Sequence, residues 1–171
     1  MTLVRTVYDP DLPTLLLSLH PENTQAIVAQ TKVIEYRHRF FKQPFQAFVY
    51  TTGSQGGVNL FMKCDQPIKA TVNSLAQIGY RLQNESSKSV NAYFKAQNSG
   101  VAIPITEWVQ FPLIRLKTLR IRFDNFVTPR SYVFLDQQVR QAQLDYFLQQ
   151  PILKRGLTDW TAKYADIADL I

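Results

Sequence analysis

Two stretches of the chain carry residue types that could grip an anion. The first, "TKVIEYRHRF" at 31–40, sets Lys32, Arg37, His38 and Arg39 around a single carboxylate, Glu35. At strand spacing Val33, Glu35, Arg37 and Arg39 share one face, and Ile34, Tyr36, His38 and Phe40 share the other. Lys32 and Arg37 would then hold phosphate or base-edge acceptors. Glu35 would accept from an exocyclic amine or keep Arg37 in place. Nearby aromatics, Tyr36, Phe40, Phe41 and Tyr50, could supply a stacking surface. The opposing reading is a solvated cross-strand pair with the aromatics in the core. The second stretch, "RLKTLRIRF", carries Arg115, Lys117, Arg120 and Arg122 with no acid among them. It is either a track for a phosphate backbone or a solvated edge, and its parity breaks between Lys117 and Arg120, so it is not one clean strand.

Catalytic signatures are lacking. His20 and His38 are the only histidines, and neither lies in a GxSxG, HExxH or phosphate-loop motif. His20 beside Pro21 reads as a structural residue at a strand end. The lone Cys64 has no CxxC partner and reads as a small core residue. The carboxylates are scattered, so no metal site and no cofactor are expected, and no catalytic residue is assigned.

Composition sets the frame. The chain has 171 residues, of which 46% are hydrophobic and 19% charged, which excludes wholesale disorder and allows a real core. No apolar run approaches the roughly 20 residues that span a bilayer, so no membrane partner is expected. The N-terminal "MTLVRTVYDPDLP" lacks a signal peptide's apolar core, which with the unpaired cysteine points to the cytoplasm. A net charge of +6 favours an anionic partner such as nucleic acid.

Several elements must position these residues. "TLLLSL" predicts a buried strand, and Pro21 opens a helix through "ENTQAIVAQ". "FQAFVYTT" and "VNLFMKC" predict a hairpin about the glycine-rich 53–57 turn. "TVNSLAQIGYRLQ" and "SSKSVNAYFKAQ" predict helices, the second stopping at Gly100. "VAIPITEWVQFP", with two prolines, reads as an edge or bent strand, and "YVFLD" as the last strand. From Asp136 a helix should show Leu135, Val139, Ala142 and Tyr146 on one face. A final helix capped by Thr158 should line up Leu157, Trp160, Tyr164, Ile167 and Ile171. The sum is an α+β chain, a mixed β-barrel of five to six strands with short decorating helices.

The order of these features resembles the ASCH domain (activating signal cointegrator homology), of the PUA-like group. The resemblance rests on the apolar strand ending Ser-x-x-Pro at Ser18 and Pro21, the short helix with Ile27, and Lys-x-x-Glu-x-Arg at Lys32, Glu35 and Arg37. It continues in "FVYTT", the glycine-rich turn and "VNLFMKC", and in Pro129, Arg130, Ser131 and Tyr132. It implies a PUA-like barrel over residues 1–136 with a helical insert at about 72–98. Residues 137–171 would form a helical extension packing on the barrel or on a partner, with a homodimer one outcome.

The implied function is binding of RNA, or of a nucleotide-like ligand, in a basic cleft. Lys32 and Arg37 would contact the anion and Glu35 a base edge; Arg39, Tyr50, Arg130, Ser131 and Tyr132 would line the cleft. The alternatives are a hydrolase acting on RNA or modified nucleosides, and a protein-interaction module. Amidohydrolase relatives carry Lys-x-x-Thr with a threonine nucleophile, which Glu35 replaces here. The family also tends to place glycine two residues before the lysine, where this chain has Gln30.

Overall fold

The apolar run Thr14–Leu19 is β1, and Pro21 at the first helical position starts α1, Pro21–Val28. β2 follows at Ile34–Arg37, then β3 at Phe45–Thr51 and β4 at Gly57–Cys64. In the computed structural model, which describes residues 1–171, β3 and β4 pair antiparallel, as the alternation in "FQAFVYTT" predicts, with a bulge at Val49/Tyr50. β1 lies parallel to β3, which requires the crossover through α1 and β2.

β5, Ile68–Thr71, leads into α2, Val72–Gln83, and α3, Ser87–Phe94. Thr71 and Ser86 cap the two helices by accepting from Ser74 N and Ser89 N, which satisfies otherwise orphaned donors. Gly100 does not stop α3. The helix ends at Lys95, which takes a positive φ of 49°, while Gly100 lies in the next strand beneath the Phe94 ring, where a Cβ would clash.

That strand, β6, runs from Ser99 to Arg115 and is the axle of the sheet rather than an edge. It pairs with β2 and β5 through its first half, and with β4 and β8, Lys154–Leu157, through its second. Two prolines are tolerated because the ladder is irregular: Pro112 sits where the β4 register slips between Gln110 and Ile114. The path of the sheet is β2-β6-β4-β3-β1-β7, with β7 at Tyr132–Phe134. There are thus eight strands in place of the five or six expected. β8 was missed because "KRGL" has neither alternation nor β-branched residues.

The sheet curls into a half-barrel of mixed α+β class, with three cores. The inner face packs Leu15, Leu17, Phe45, Ala47, Leu60, Met62 and Ile103 against Ile27 of α1. One outer core, with Phe48, Phe61 and Phe111, lies beneath α5, Gln141–Leu148, which contributes Leu144 and Phe147. Val139 belongs to a short 3-10 turn and is exposed, so the apolar face of that segment is set by Leu144 and Phe147 rather than by Val139. The other outer core joins Ile34 and Tyr36 of β2 to α2, α3 and α6, Trp160–Ile167. Trp160 donates to Ile105 O at 2.8 Å, and Ile167 is fully buried. Leu157 and Ile171, expected on the same stripe, are exposed: Leu157 is a strand residue and Ile171 follows the helix end. Asp159 caps α6, accepting from Thr161 N, whereas Thr158 N is taken by Thr106 O.

Candidate nucleic-acid interface

β2 decides where the charges go. Ile34 and Tyr36 turn outward into the helical core, so Glu35 and Arg37 turn inward. Glu35 is 7% exposed. The mixed-charge stripe is therefore an inner wall of the half-barrel and not a solvated face.

The chain that delivers Lys32 is set by α1. Beyond its end Gln30 adopts φ 61°, the left-handed conformation that glycine accepts at no cost. Thr31 N and Lys32 N then both donate to Ala26 O, at 3.0 and 3.1 Å. The loop keeps its geometry without a glycine, at a conformational cost to Gln30.

Three side chains converge. Lys32 Nζ stands 3.3 Å from Glu35 Oε2, and Arg37 Nε stands 3.7 Å from Glu35 Oε1. Arg37 reaches across the open side of the half-barrel, donating to Ser18 O at 2.8 Å and to Ser131 Oγ at 3.4 Å. Ser18 Oγ donates in turn to Pro129 O, and Ser18 N to Ser131 O. Arg37 thus latches β2 to the β1–β7 edge where no backbone ladder joins them. Glu35 Oε2 and Arg37 Nε are buried and have no hydrogen-bond partner. Buried polar atoms are nearly always paired, so a neighbouring donor and acceptor left free is uncommon.

Beside the latch lies an aromatic cluster. Phe40 packs on Phe41 (4.6 Å between centroids) and on Tyr132 (5.1 Å), and Phe41 on Phe134 (6.2 Å). All four rings are partly exposed. Tyr132 follows Ser131 directly, so stacking surface and cation share one mouth.

The other expected residues divide. Arg39 and Arg130 are exposed and unpaired near this mouth in sequence, while Ser131 and Tyr132 line it. Tyr50 is not brought there. It lies in the outer core against Phe126, its hydroxyl toward the Gly53–Gly56 turn; burial raises its pKa, opposed by Arg120. The second basic run is the end of β6 followed by α4, Leu116–Arg122. Arg122 stacks over Tyr146 and Arg115 donates to Gln55, so part of its charge serves packing. Cys64 is buried on the inner face, where burial first, then Glu35 and Asp65, push its thiol pKa well up.

The cluster lines none of the four principal concavities of the surface. One, of about 780 Å³, lies between α1, the 51–55 turn and β6; another, of about 550 Å³, begins at His38. Lys42 and Lys69 border the second; Lys69 carried no sequence signal, because only the pairing of β5 with β6 brings it near His38.

No family model and no curated protein matches the chain. Solved structures do. A serine-to-alanine variant of the Zymomonas mobilis ASCH protein superposes with a TM-score of 0.70 at 23% identity, covering 84% of this chain and 100% of that one. The chain has the ASCH fold. The structure of ASCH from the same organism gives 0.69 at 24%, covering 81% and 97%. A tyrosine-to-phenylalanine variant gives 0.70 at 22%, covering 81% and 99%. The ASCH likeness extends over most of the chain.

Proposed function

We propose that the chain is a nucleic-acid-binding module, preferring RNA, whose binding site is the Lys32–Glu35–Arg37 cluster and the aromatic rings beside it. One observation carries the reading: two cations, Lys32 and Arg37, converge on one buried acid, Glu35, whose Oε2, like Arg37 Nε, sits in an ion pair but makes no hydrogen bond. A nucleobase edge presents the complementary donor and acceptor, and a phosphate satisfies the surplus cation. Phe40 and Tyr132 stand where a base could stack. The ASCH fold is compatible with this role.

A hydrolytic reading finds less support. The chain's hydroxyl–imidazole pair, Thr52 Oγ1 and His20 Nδ1 at 3.2 Å, is exposed, and no carboxylate orients the second ring nitrogen. Glu35 occupies the place of the threonine nucleophile.

The test is fluorescence anisotropy of a labelled single-stranded RNA octamer across a salt series. Each phosphate contact contributes about 0.7 to the log–log slope. Lys32→Gln is expected to weaken binding and flatten the slope by about that amount. Glu35→Gln should cost about 1.5–3 kcal/mol or alter base preference, through loss of a charge-assisted bond. RNA turnover by the parent protein that Glu35→Gln abolishes would overturn the binding reading in favour of a hydrolase.

A further inference from the structure

The concavity of about 550 Å³ beginning at His38 is built from charges the fold does not use. Arg39, Lys42 and Lys69 border it and no acidic residue does. Elsewhere five cations are spent on acids: Lys32 and Arg37 on Glu35, Lys63 and Arg155 on Glu107, Arg81 on Asp169. Arg39, Lys42 and Lys69 make no ion pair.

An aromatic stack stands at the groove's edge: His38 lines the groove, and Tyr93 backs it from outside the lining. His38 lies flat on Tyr93, 4.5 Å between centroids and 8° between planes, with Nδ1 fixed 2.8 Å from Gln97 Oε1. Both rings are exposed. Tyr93 is anchored by donating to Tyr36 O. The far wall is residues 96–101, which turn back after Lys95, held at φ 49° and ψ −122°. A side chain in that backbone region is strained, and the fold maintains it.

The groove adjoins the cleft. His38 follows Arg37, Val101 is paired to Arg37 across the ladder and lines the groove, and Phe40 both lines it and packs on Tyr132. We infer that this groove is a second subsite for the flanking nucleotides of a single strand whose first base occupies the Arg37 cleft. Arg39, Lys42 and Lys69 take its phosphates and the His38–Tyr93 stack takes a base. The inference rests on the cleft reading above, and it adds a ligand class: an oligonucleotide single strand rather than a mononucleotide or a duplex. A duplex buries the base faces that the stack would need.

The experiment compares a dinucleotide with a single-stranded RNA octamer, on the full chain and on the Lys42→Gln/Lys69→Gln variant. Both lysines are exposed, so the variant's thermal melt should match the parent's. The variant is expected to lose tenfold or more in octamer affinity and about 1.4 in salt slope, two contacts at about 0.7 each, with dinucleotide binding unchanged. A Tyr93→Leu variant should weaken the octamer alone. Octamer binding by the lysine variant with parental affinity and slope overturns the second subsite and leaves the cleft standing. Failure of the parent to bind either RNA overturns both.

Discussion

Glu35 is enclosed on the inner wall of the half-barrel between two cations, and its Oε2 makes no hydrogen bond. A charge in that position is costly unless matched, and removing one partner of such a set leaves the rest exposed to the full desolvation penalty. Arg37 holds β2 to Ser18 and Ser131 and, under the proposed function, also meets the ligand. Arg37→Ala should therefore lower stability as well as binding, whereas Arg37→Lys should lose the latch geometry while keeping charge. Gln30 offers a separate residue-scale prediction. Its left-handed backbone costs about 1–2 kcal/mol, and the looser unfolded chain of a glycine gives back about 0.4–1. The net gain is about 0–1.6 kcal/mol, so Gln30→Gly should leave the melting temperature unchanged or raise it by up to about 6 °C in calorimetry; a lower value would mean that the turn is not strained. Cys64 should resist thiol reagents in the native protein, because burial keeps its thiol protonated; labelling as fast as in denaturant would place it in an open site.

Among the elements, β2 and α6 show how the helical layer is tied to the half-barrel. Tyr36 donates from β2 to Leu75 O in α2 at 3.0 Å, and Tyr164 donates from α6 to Asp65 Oδ2 at 2.7 Å. Burial raises both phenols above their ordinary 10.0, with nearby carboxylates adding to the effect. A group whose folded pKa is raised contributes stability that is complete below its unfolded value and lost above it. Thermal stability should hold to about pH 10 and fall beyond it, and Tyr164→Phe should flatten that fall. An alkaline limb of equal steepness in the variant would remove Tyr164 from the account. Trp160→Ala should cost about 3–5 kcal/mol, as the cavity and the unpaired Ile105 carbonyl add to lost burial. Elements with one clear period were legible from sequence: β1, α1, the β3–β4 hairpin, α2 and α3. β6 was misjudged because its prolines suggest an edge, whereas a strand that changes partners midway can place Pro112 at a register slip. Thr158 lost the cap to Asp159 because its backbone is drawn onto β6.

At the scale of the whole molecule, the half-barrel turns sequence neighbours apart and distant residues together. The Lys32–Glu35–Arg37 set was legible, since a strand and its approach fix all three. Its meeting with Ser18 and Ser131 depends on the curl that brings β2 to the β1–β7 edge, which local pattern does not encode. Tyr50 was drawn toward the site by proximity in sequence, but strand parity sends it to the outer core with Phe126. The basic groove joins Arg39 and Lys42, which follow β2, to Lys69, which the pairing of β5 with β6 brings alongside. The chain carries a surplus charge of +6, and three of its unpaired cations, Arg39, Lys42 and Lys69, border one groove.

Under the proposed function, Arg37 and Glu35 meet a nucleic-acid ligand. The most direct measurement follows the Arg37 Nε–H resonance in nitrogen–proton correlation spectra during titration with a single-stranded RNA octamer, with Arg37→Lys identifying the signal. Acquiring a partner should shift that resonance and slow its exchange with water, together with shifts at Lys32, Ser131 and Tyr132, while Gly156 on the far strand stays put. Saturating RNA that leaves the Arg37 Nε–H unmoved, with its shifts confined to α4 or the outer helices, would contradict the account.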